Sequence, residues 1–352
     1  MNSSTVASML VACLLCFPIG CHTRAGRRQP FSASPDASRK TPVVIDTDMA
    51  IDDWMAILYL LQRSDISVKA ITVTGTGEAH CGPGVRNALG LLALGWPWDI
   101  PVSCGPSRPL RGNHAFPLPW RRDVDNVLGL ALPDNPFPPS RQDAVELLVS
   151  TLRRSPRKVV LVTLGPLTNV AHALQTDPSI ADNLEMIYIM GGAVNVPGNL
   201  RVPGFTMDMD NTTAEWNLHV DPHATAIVFA SGAPITLVPL DACNHAPFTN
   251  EFLERLEKDR TTPAADFIFR AVTKSGMVSS GSYYFWDPLT AAIATDESLA
   301  TIEHKTVTVI EQEGSESGRT VESENGYSMR VCTRADRGRF EQVFLDTLNG
   351  RH

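Results

Sequence analysis

The chain has 352 residues, of which 43% are hydrophobic, and a formal net charge of -8 with charges of both signs interspersed. This length and composition are enough for one large core or two modest domains. The body of the chain has no stripe rich in Lys and Arg, which disfavours a nucleic-acid partner because phosphate contacts need clustered cations.

The N-terminus differs from the rest of the chain, and residues 1–21 are predicted to be a signal peptide. The apolar run Met9–Phe17 has the length of a signal-peptide core and is far shorter than the ~20 residues that span a bilayer. Gly20-Cys21 is typical of the end of a lipobox, which predicts a bacterial periplasmic or membrane-anchored lipoprotein, lipidated at Cys21. The alternative is a disordered tail from a misplaced start codon on a cytoplasmic protein. Residues 22–41 are predicted to be a flexible tether and 42–352 the folded domain.

Short β-branched runs alternate with helical patterns from Pro42 onward. Such repeated strand–helix units predict a single α/β domain with a mostly parallel, Rossmann-like central sheet and helices on both faces. The predicted strands are Val43–Ile45, Val68–Val73, Lys158–Thr163, Glu185–Met190 and Ile235–Val238, and the predicted helices are Asp53–Gln62, Gly84–Leu94, Ala144–Arg153, Leu167–Gln175 and Pro222–Ala230.

Two stretches interrupt this alternation. Residues 97–139 are rich in proline, and much of this stretch is predicted to be a long ordered loop of the kind that forms lids or binding segments. Near the end, Lys305–Glu311 and Arg319–Ser323 alternate like a β-hairpin, and Glu341–Leu348 is predicted to be a closing helix.

The cysteines of the folded domain are scattered and show no zinc or redox spacing. The four of them allow three disulfide pairings, and we expect buried free thiols instead. They are Cys81, Cys104, Cys243 and Cys332.

Acidic side chains are concentrated directly after the first predicted strand. Four carboxylates lie within eight positions, at Asp46, Asp48, Asp52 and Asp53. Ligands of open α/β sheets bind beyond the carboxyl ends of the strands. Like charges this close repel unless a cation neutralises them, and hard oxygen donors favour Ca²⁺ or Mg²⁺. A metal site is therefore predicted. The alternative, an acidic helix N-terminus, explains only Asp52 and Asp53.

The segment DTDMAIDD at 46–53 resembles the N-terminal signature DTDxGxDD of the inosine-uridine-preferring nucleoside hydrolase family. Four further motifs follow in the family's order: VTLGPLTNVA at 162–171, MGGA with PGN at 190–199, AEWN with DP at 214–222, and WDPL at 286–289. The resemblance covers roughly residues 42–294. It implies the nucleoside hydrolase fold, hydrolysis of the bond between ribose and base of a nucleoside, and a homo-oligomer (dimer or tetramer).

The same resemblance implies a Ca²⁺ site formed by Asp48, Asp53, the backbone carbonyl of Leu164 and Asp287. Asp48 is the implied general base, which takes a proton from a coordinated water. Asp46 is expected to orient its neighbours rather than to bind the metal. For Asp287 the alternative is an ordinary helix N-cap followed by proline.

Substrate contacts are also implied by resemblance. Trp286 stands where many pyrimidine-accepting members carry a histidine, and it is similar to the purine-specific branch, in which indoles stack the base. The alternatives are an ordinary core position for Trp286, a solvated loop residue for His114 and a turn for Asn199. The implied ribose contacts are Asp52, Asn199, Glu215 and Asn217, Met190 is a further substrate-binding candidate, and the base-side candidates are His114, Trp286 and Trp120.

Two positions depart from the family pattern. Ala50 replaces a glycine, and Glu78 stands where the family has an asparagine that contacts ribose. A glutamate at position 78 removes a hydrogen-bond donor and adds a negative charge near the sugar. The alternative is that the loop around Glu78 is an ordinary polar surface loop. A hydrolase of a modified nucleoside and an exported nucleoside-binding protein without turnover therefore remain alternatives. A phosphohydrolase with Asp46 as nucleophile is disfavoured by the paired aspartates and AEWN.

Overall fold

The computed structural model describes residues 40–95, 99–281 and 283–351. The predicted signal peptide, Cys21 and nearly all of the predicted tether lie outside these residues. Within them, no helix combines the length and the apolar character needed to cross a bilayer.

The described residues form nine strands and twelve α-helices, with four short 3₁₀ turns between them. The strands are β1 (Thr41–Thr47), β2 (Ile66–Val73), β3 (Val102–Cys104), β4 (Val159–Thr163), β5 (Leu184–Met190), β6 (Ile235–Val238), β7 (Ala300–Val309), β8 (Thr320–Glu322) and β9 (Tyr327–Ala335). The helices are α1 (Ile51–Gln62), α2 (Cys81–Leu92), α3 (Leu118–Asp125), α4 (Ala144–Arg154), α5 (Thr168–Thr176), α6 (Trp216–Val220), α7 (Pro222–Phe229), α8 (Leu240–Cys243), α9 (Asn250–Lys258), α10 (Pro263–Ser275), α11 (Trp286–Ile293) and α12 (Arg337–Leu348).

The strands form one sheet in the order β3-β2-β1-β4-β5-β6-β9-β7-β8. Neighbours from β3 to β9 are parallel, whereas β7 is antiparallel to both β9 and β8. The predicted, mostly parallel α/β sheet is confirmed. The strand order changes direction between β1 and β4, and ligands of open sheets bind at such a switch point.

Side chains of the central strands alternate between two hydrophobic clusters. On β1, Val43 and Ile45 belong to one cluster and Val44 to the other. Helices α1, α2 and α9–α12 cover the first face, and α4, α5 and α7 cover the second. This burial on both sides explains why the strands are continuous apolar runs in the sequence.

Hydrogen bonds at the N-termini of helices set where the helices begin, which the hydrophobic periodicity of the sequence does not show. Helix α1 begins at Ile51, two residues before the predicted start, because the Asp53 carboxylate accepts the N–H of Ala50 at 3.1 Å. The predicted hairpin is present as β7 and β8, but the longer partner of β7 is β9, which was not predicted. Helices α9 and α10 were also missed.

The proline-rich stretch is more regular than predicted. It contains β3, α3 and a 3₁₀ turn at Val127–Gly129, so the long loop is only partly correct. A proline in the first turn is compatible with α3, because the first N–H groups of a helix have no intrahelical partner.

The expectation of free thiols is wrong for two of the four cysteines. Cys81 and Cys104 form a disulfide, with Cα atoms 5.5 Å apart. Packing of α2 beside β3 brings them together, which their separation of 23 residues does not reveal. Cys243 and Cys332 are buried and free, as expected.

Candidate active site

A left-handed turn connects β1 to α1 and brings the acidic side chains together. Met49 has a φ of +62°, which is uncommon for a residue other than glycine. Its N–H donates to the Thr47 hydroxyl at 3.0 Å, and its carbonyl accepts the Trp54 indole N–H at 2.8 Å. The turn lies at the carboxyl end of β1, beside the switch point of the sheet.

Asp53 is held by the turn itself. Its carboxylate accepts the Thr47 hydroxyl and the N–H groups of Asp48 and Ala50, the latter two at 3.1 Å. Burial, and then the charge of Asp52, raises the pKa of Asp53 to about 7. The carboxylate is therefore fixed in orientation but unfavourable as an isolated anion, which is what a cation would relieve.

Asp48 is confined between two loops. Its oxygens accept the N–H groups of Glu78 at 3.1 Å and Ala50 at 3.4 Å, and it is 2% exposed. A Cβ atom at Gly77 would lie 2.0 Å from the Asp48 Cβ, and one at Gly165 would lie 2.7 Å from it. Burial, and then the charge of Asp53, raises the pKa of Asp48 well above its usual range. No role for either glycine was predicted.

Asp52, Asp53 and Asp287 form a group that is able to hold a metal ion. One carboxylate oxygen from each lies within 4.8 Å of the others, because α11 packs against α1. Oδ1 of Asp287 is buried and has no hydrogen-bond partner among the described residues. Burial, and then the charges of Asp52 and Asp53, raises the pKa of Asp287 well above its usual range. A hard, all-oxygen donor set with an unpartnered lone pair fits a divalent cation.

Of the four predicted metal ligands, Asp48 is not a member of this group, and the other three stand as follows. Asp53 and Asp287 belong to this group, joined by Asp52, which was predicted to contact ribose. The Leu164 carbonyl follows β4 and accepts the Asn217 side-chain amide at 3.1 Å. Asp287 lies inside the first turn of α11, whose N-cap is Phe285, so the alternative of a capping role is wrong.

Asp46 lies in β1 beneath the turn and is fully buried. Its Oδ1 accepts the Thr72 hydroxyl at 2.5 Å and the Asn169 amide at 2.8 Å. The same Asn169 amide also donates to the Val73 carbonyl at 3.0 Å. This placement ties β1 to β2 and α5, as an orienting residue would.

Glu215 is the N-cap of α6 and is held by three backbone amides. Its carboxylate accepts the N–H groups of Asn217 at 2.9 Å, Gly192 at 3.0 Å and Leu218 at 3.2 Å. Burial raises the pKa of Glu215 to about 7. The charge of Glu215 also contributes to the raised pKa of Asp52, so the two carboxylates lie near each other.

The other predicted ribose contacts belong to the same network. The Asn217 amide lies 3.3 Å from the Met190 sulfur as well as 3.1 Å from the Leu164 carbonyl. Asn199 accepts the Trp216 N–H at 3.1 Å, so its side chain fixes α6 rather than forming only a turn. The structure thus brings Met190, Asn199, Glu215 and Asn217 together around the start of α6.

Trp286 and Trp120, the two predicted stacking candidates, contact different sets of rings. Trp286 contacts Tyr283 edge to face, with centroids 5.0 Å apart. Trp120 lies 5.4 Å from Trp216 and 5.5 Å from Phe205. These contacts place both predicted stacking candidates among other rings.

His114 lies in a different set of contacts. Its ring stacks on His219 with centroids 4.0 Å apart. Nδ1 lies 2.7 Å from the His219 carbonyl, and Nε2 lies 3.0 Å from a Glu313 carboxylate oxygen. Both ring nitrogens of His114 therefore have partners within the protein. The described contacts of His114 do not include Asp48, Asp53 or Asp287.

Glu78 faces the acids, in a loop held by a buried arginine. Burial, and then the charges of Asp48 and Asp52, raises the pKa of Glu78 well above its usual range, while Arg121 opposes the shift. Arg121 donates to the carbonyls of Gly75 at 3.0 Å, Glu78 at 3.2 Å and Ala79 at 3.3 Å. Sequence reasoning missed Arg121, because nothing local distinguishes it from Arg122, which is exposed.

Comparison with known proteins agrees with this arrangement. The family model described as inosine-uridine preferring nucleoside hydrolase matches residues 43–342. The pyrimidine-specific ribonucleoside hydrolase RihA of Salmonella arizonae is 37% identical over 220 residues, which are 61% of this chain and 65% of that relative. This chain thus spans slightly less than two thirds of that relative's length.

Solved structures extend the similarity over more of the chain. The plant nucleoside hydrolase PpNRh1 superposes with a TM-score of 0.78 at 28% identity, covering 88% of this chain and 99% of that one. The purine-preferring ribonucleoside hydrolase from Gardnerella vaginalis gives a TM-score of 0.73 at 27% identity, covering 88% and 98%. The chain belongs to the inosine-uridine-preferring nucleoside hydrolase family.

Proposed function

We propose that this protein hydrolyses the N-glycosidic bond of ribonucleosides to give ribose and a free base. The observation that carries the proposal is the group of Asp52, Asp53 and Asp287, within 4.8 Å of one another at the switch point, with Asp48 held beside it. Membership of the family and the names of its relatives, which are ribonucleoside hydrolases, support it.

For the metal we propose Ca²⁺, held by Asp48, Asp53, the Leu164 carbonyl and Asp287. The all-oxygen donor set and the unpartnered Oδ1 of Asp287 support this assignment. When bound, the cation neutralises the acids and lowers the pKa of a water in its coordination shell.

In this proposal, Asp48 accepts the proton of the attacking water. The Glu78 and Ala50 amides fix its two oxygens, so the carboxylate is oriented before substrate arrives. Attack at the anomeric carbon passes through an oxocarbenium-like state. The positive charge that develops is stabilised by the surrounding carboxylates, which have little water around them.

Asp52, Asn199, Glu215 and Asn217 hold the ribose hydroxyls. Carboxylates are acceptors, which match hydroxyl donors, and the backbone amides on Glu215 keep its orientation fixed. A deoxyribonucleoside leaves one such buried group unpaired, at a cost of ~1–3 kcal/mol. Ribonucleosides are therefore the preferred class.

The base is proposed to be a purine stacked against Trp286. Trp286 contacts Tyr283 and Tyr284, which leaves an aromatic wall next to Asp287. A large, flat base gains more from such a wall than a small one does.

Export is proposed as well, with attachment through a lipidated Cys21. The Cys81–Cys104 disulfide supports an oxidising compartment, since such bonds are rare in the cytosol of most organisms. A homo-oligomer remains a prediction.

The test is ribose release by protein lacking residues 1–38, which keeps the compact unit Arg39–His352 whole. Inosine, guanosine, adenosine, uridine and cytidine are assayed with EDTA and after calcium is restored. We expect EDTA to abolish release and calcium to restore it. Asp48→Asn should lower kcat roughly 10³-fold, whereas Asp134→Asn, at an exposed aspartate, should not. Calcium binding without cleavage of any nucleoside would contradict the proposal and favour a nucleoside-binding protein or a modified substrate.

A further inference from the structure

Two buried hydrogen-bond donors next to Asp287 have no partner among the residues that the structure describes. They are the hydroxyl of Tyr283 and the indole N–H of Trp286, and Tyr283 is only 7% exposed. Burying a polar group without a partner costs ~1–3 kcal/mol, so such groups are rare in folded proteins. Two of them side by side indicate that a ligand supplies the acceptors.

The Tyr283 ring is fixed in position. Its backbone carbonyl accepts the Phe248 N–H at 2.9 Å, and its ring lies 6.2 Å from the Phe248 ring. On the other side it meets Trp286 edge to face at 5.0 Å. The hydroxyl is therefore held in place rather than free to turn towards solvent.

Tyr283 lies near enough to the acid group for the charges of those carboxylates to act on its hydroxyl. Burial, and then the charges of Asp52, Asp287 and Glu78, raises the pKa of Tyr283 well above its usual range. Tyr283 thus keeps its proton at neutral pH and is available as a donor rather than as an acid.

The two sides of the site differ in what they offer a ligand. The carboxylates offer acceptors, which match the hydroxyl groups of ribose. Tyr283 and Trp286 offer donors, which match the ring nitrogens and carbonyl oxygens of a nucleobase. We infer that Tyr283 is a substrate-binding residue whose hydroxyl donates a hydrogen bond to the leaving base.

This role rests on the proposed nucleoside hydrolysis and names a residue that the motifs do not include. As the glycosidic bond breaks, its electron pair moves onto the base. A donor already in place stabilises the charge that develops there, without transferring its own proton.

The experiment compares Tyr283→Phe with the wild type on inosine and on 4-nitrophenyl riboside. The substitution removes the hydroxyl and keeps the ring. We expect kcat/KM for inosine to fall about ten- to a hundredfold. For 4-nitrophenyl riboside we expect a change below about threefold, because nitrophenolate leaves without help from a donor.

Tyr327→Phe is the matched control, since it removes a hydroxyl from an exposed tyrosine at the start of β9, which is not part of the proposed site. It should stay within about twofold of the wild type on both substrates. The melting temperature of Tyr283→Phe should be unchanged or higher, because its hydroxyl has no described partner to lose. A loss of activity is then not a loss of folding.

Each contrary result has its own meaning. Unchanged kinetics of Tyr283→Phe on inosine, or an equal loss in Tyr327→Phe, would overturn the role of Tyr283. Equal losses on both substrates would place the hydroxyl on the ribose and overturn the assignment to the base. A wild type that cleaves neither substrate would instead overturn the proposed function, and the inference with it.

Discussion

The two sides of the site are built in different ways. We call Asp48, Asp53, Glu78 and Asp287 the acid side, and Tyr283 and Trp286 the base side. On the acid side, backbone amides and glycine contacts fix the carboxylates of Asp48 and Asp53. On the base side, the two rings contact each other, and the buried donor of each lacks a described partner. The carboxylates of Asp48 and Asp53 are thus held by the protein itself, whereas the two base-side donors are left for the ligand proposed above.

The largest expected effect concerns the covalent link at the acid side. The disulfide joins Cys81, which directly follows the Glu78 loop, to Cys104 at the end of β3. Replacing both cysteines with serine should lower the free energy of unfolding by about 3 kcal/mol, because the unfolded chain regains the freedom of the loop. Urea denaturation measures this, and the wild type in dithiothreitol should show the same loss. A change below about 1 kcal/mol would show that the link is not a major constraint.

The next largest effect is expected from a methyl group placed against Asp48. In Gly77→Ala the new Cβ lies 2.0 Å from the Asp48 Cβ, so the carboxylate must move. We expect kcat to fall about ten- to a hundredfold, since small displacements of a general base are costly. Gly82→Ala is the control, because nothing lies within 4 Å of a Cβ there. Equal activity of the two variants would show that Asp48 does not need this confinement.

A base-side change should alter specificity instead. Trp286→Leu removes the ring that contacts Tyr283. We expect the ratio of kcat/KM for inosine over uridine to fall about tenfold, since stacking favours the larger base. Calcium affinity, measured by titration calorimetry, should not change, and Trp286→Phe should keep most of the ratio. A loss of calcium binding would show that the two sides are not independent.

The smallest expected effect is a pH dependence of the metal-free protein. In the folded state the pKa values of Asp46, Asp53 and Glu215 are about 7, against usual values of 3.8 and 4.5. At pH values between the usual pKa and the raised pKa of each group, the folded state binds more protons than the unfolded chain. The free energy of unfolding therefore falls as pH rises through this range. His219, whose pKa burial lowers to about 4, acts with the opposite sign, and only below its usual value of 6.5.

Thermal melting in EDTA at pH 6, 7 and 8 measures this dependence. The melting temperature should drop by roughly a few degrees towards pH 8 and depend less on pH when calcium is present. A melting temperature that rises with pH in EDTA would contradict the assigned directions.

The same contrast explains what the sequence reveals. Val43–Ile45 followed by Asp46 and Asp48 is a local pattern. The acids at the carboxyl end of β1 were therefore predictable from the sequence. The position of Tyr283 depends on the packing of its segment against Phe248 and Trp286, which leaves no local trace.

Other misses have the same origin. Cys81 and Cys104 meet only because α2 packs beside β3, and Arg121 is buried only because α3 lies over the Glu78 loop. Strand β9 enters the sheet between β6 and β7, an order that periodicity along the chain does not encode.

The packing of α1 against α11 has a consequence for the synthesis of the protein. Asp52 and Asp53 leave the ribosome early, whereas Asp287 follows only after most of the sheet has been made. A nascent chain therefore lacks the complete carboxylate group until Asp287 has been made. Binding of the proposed cation would then report that α1 and α11 have packed together.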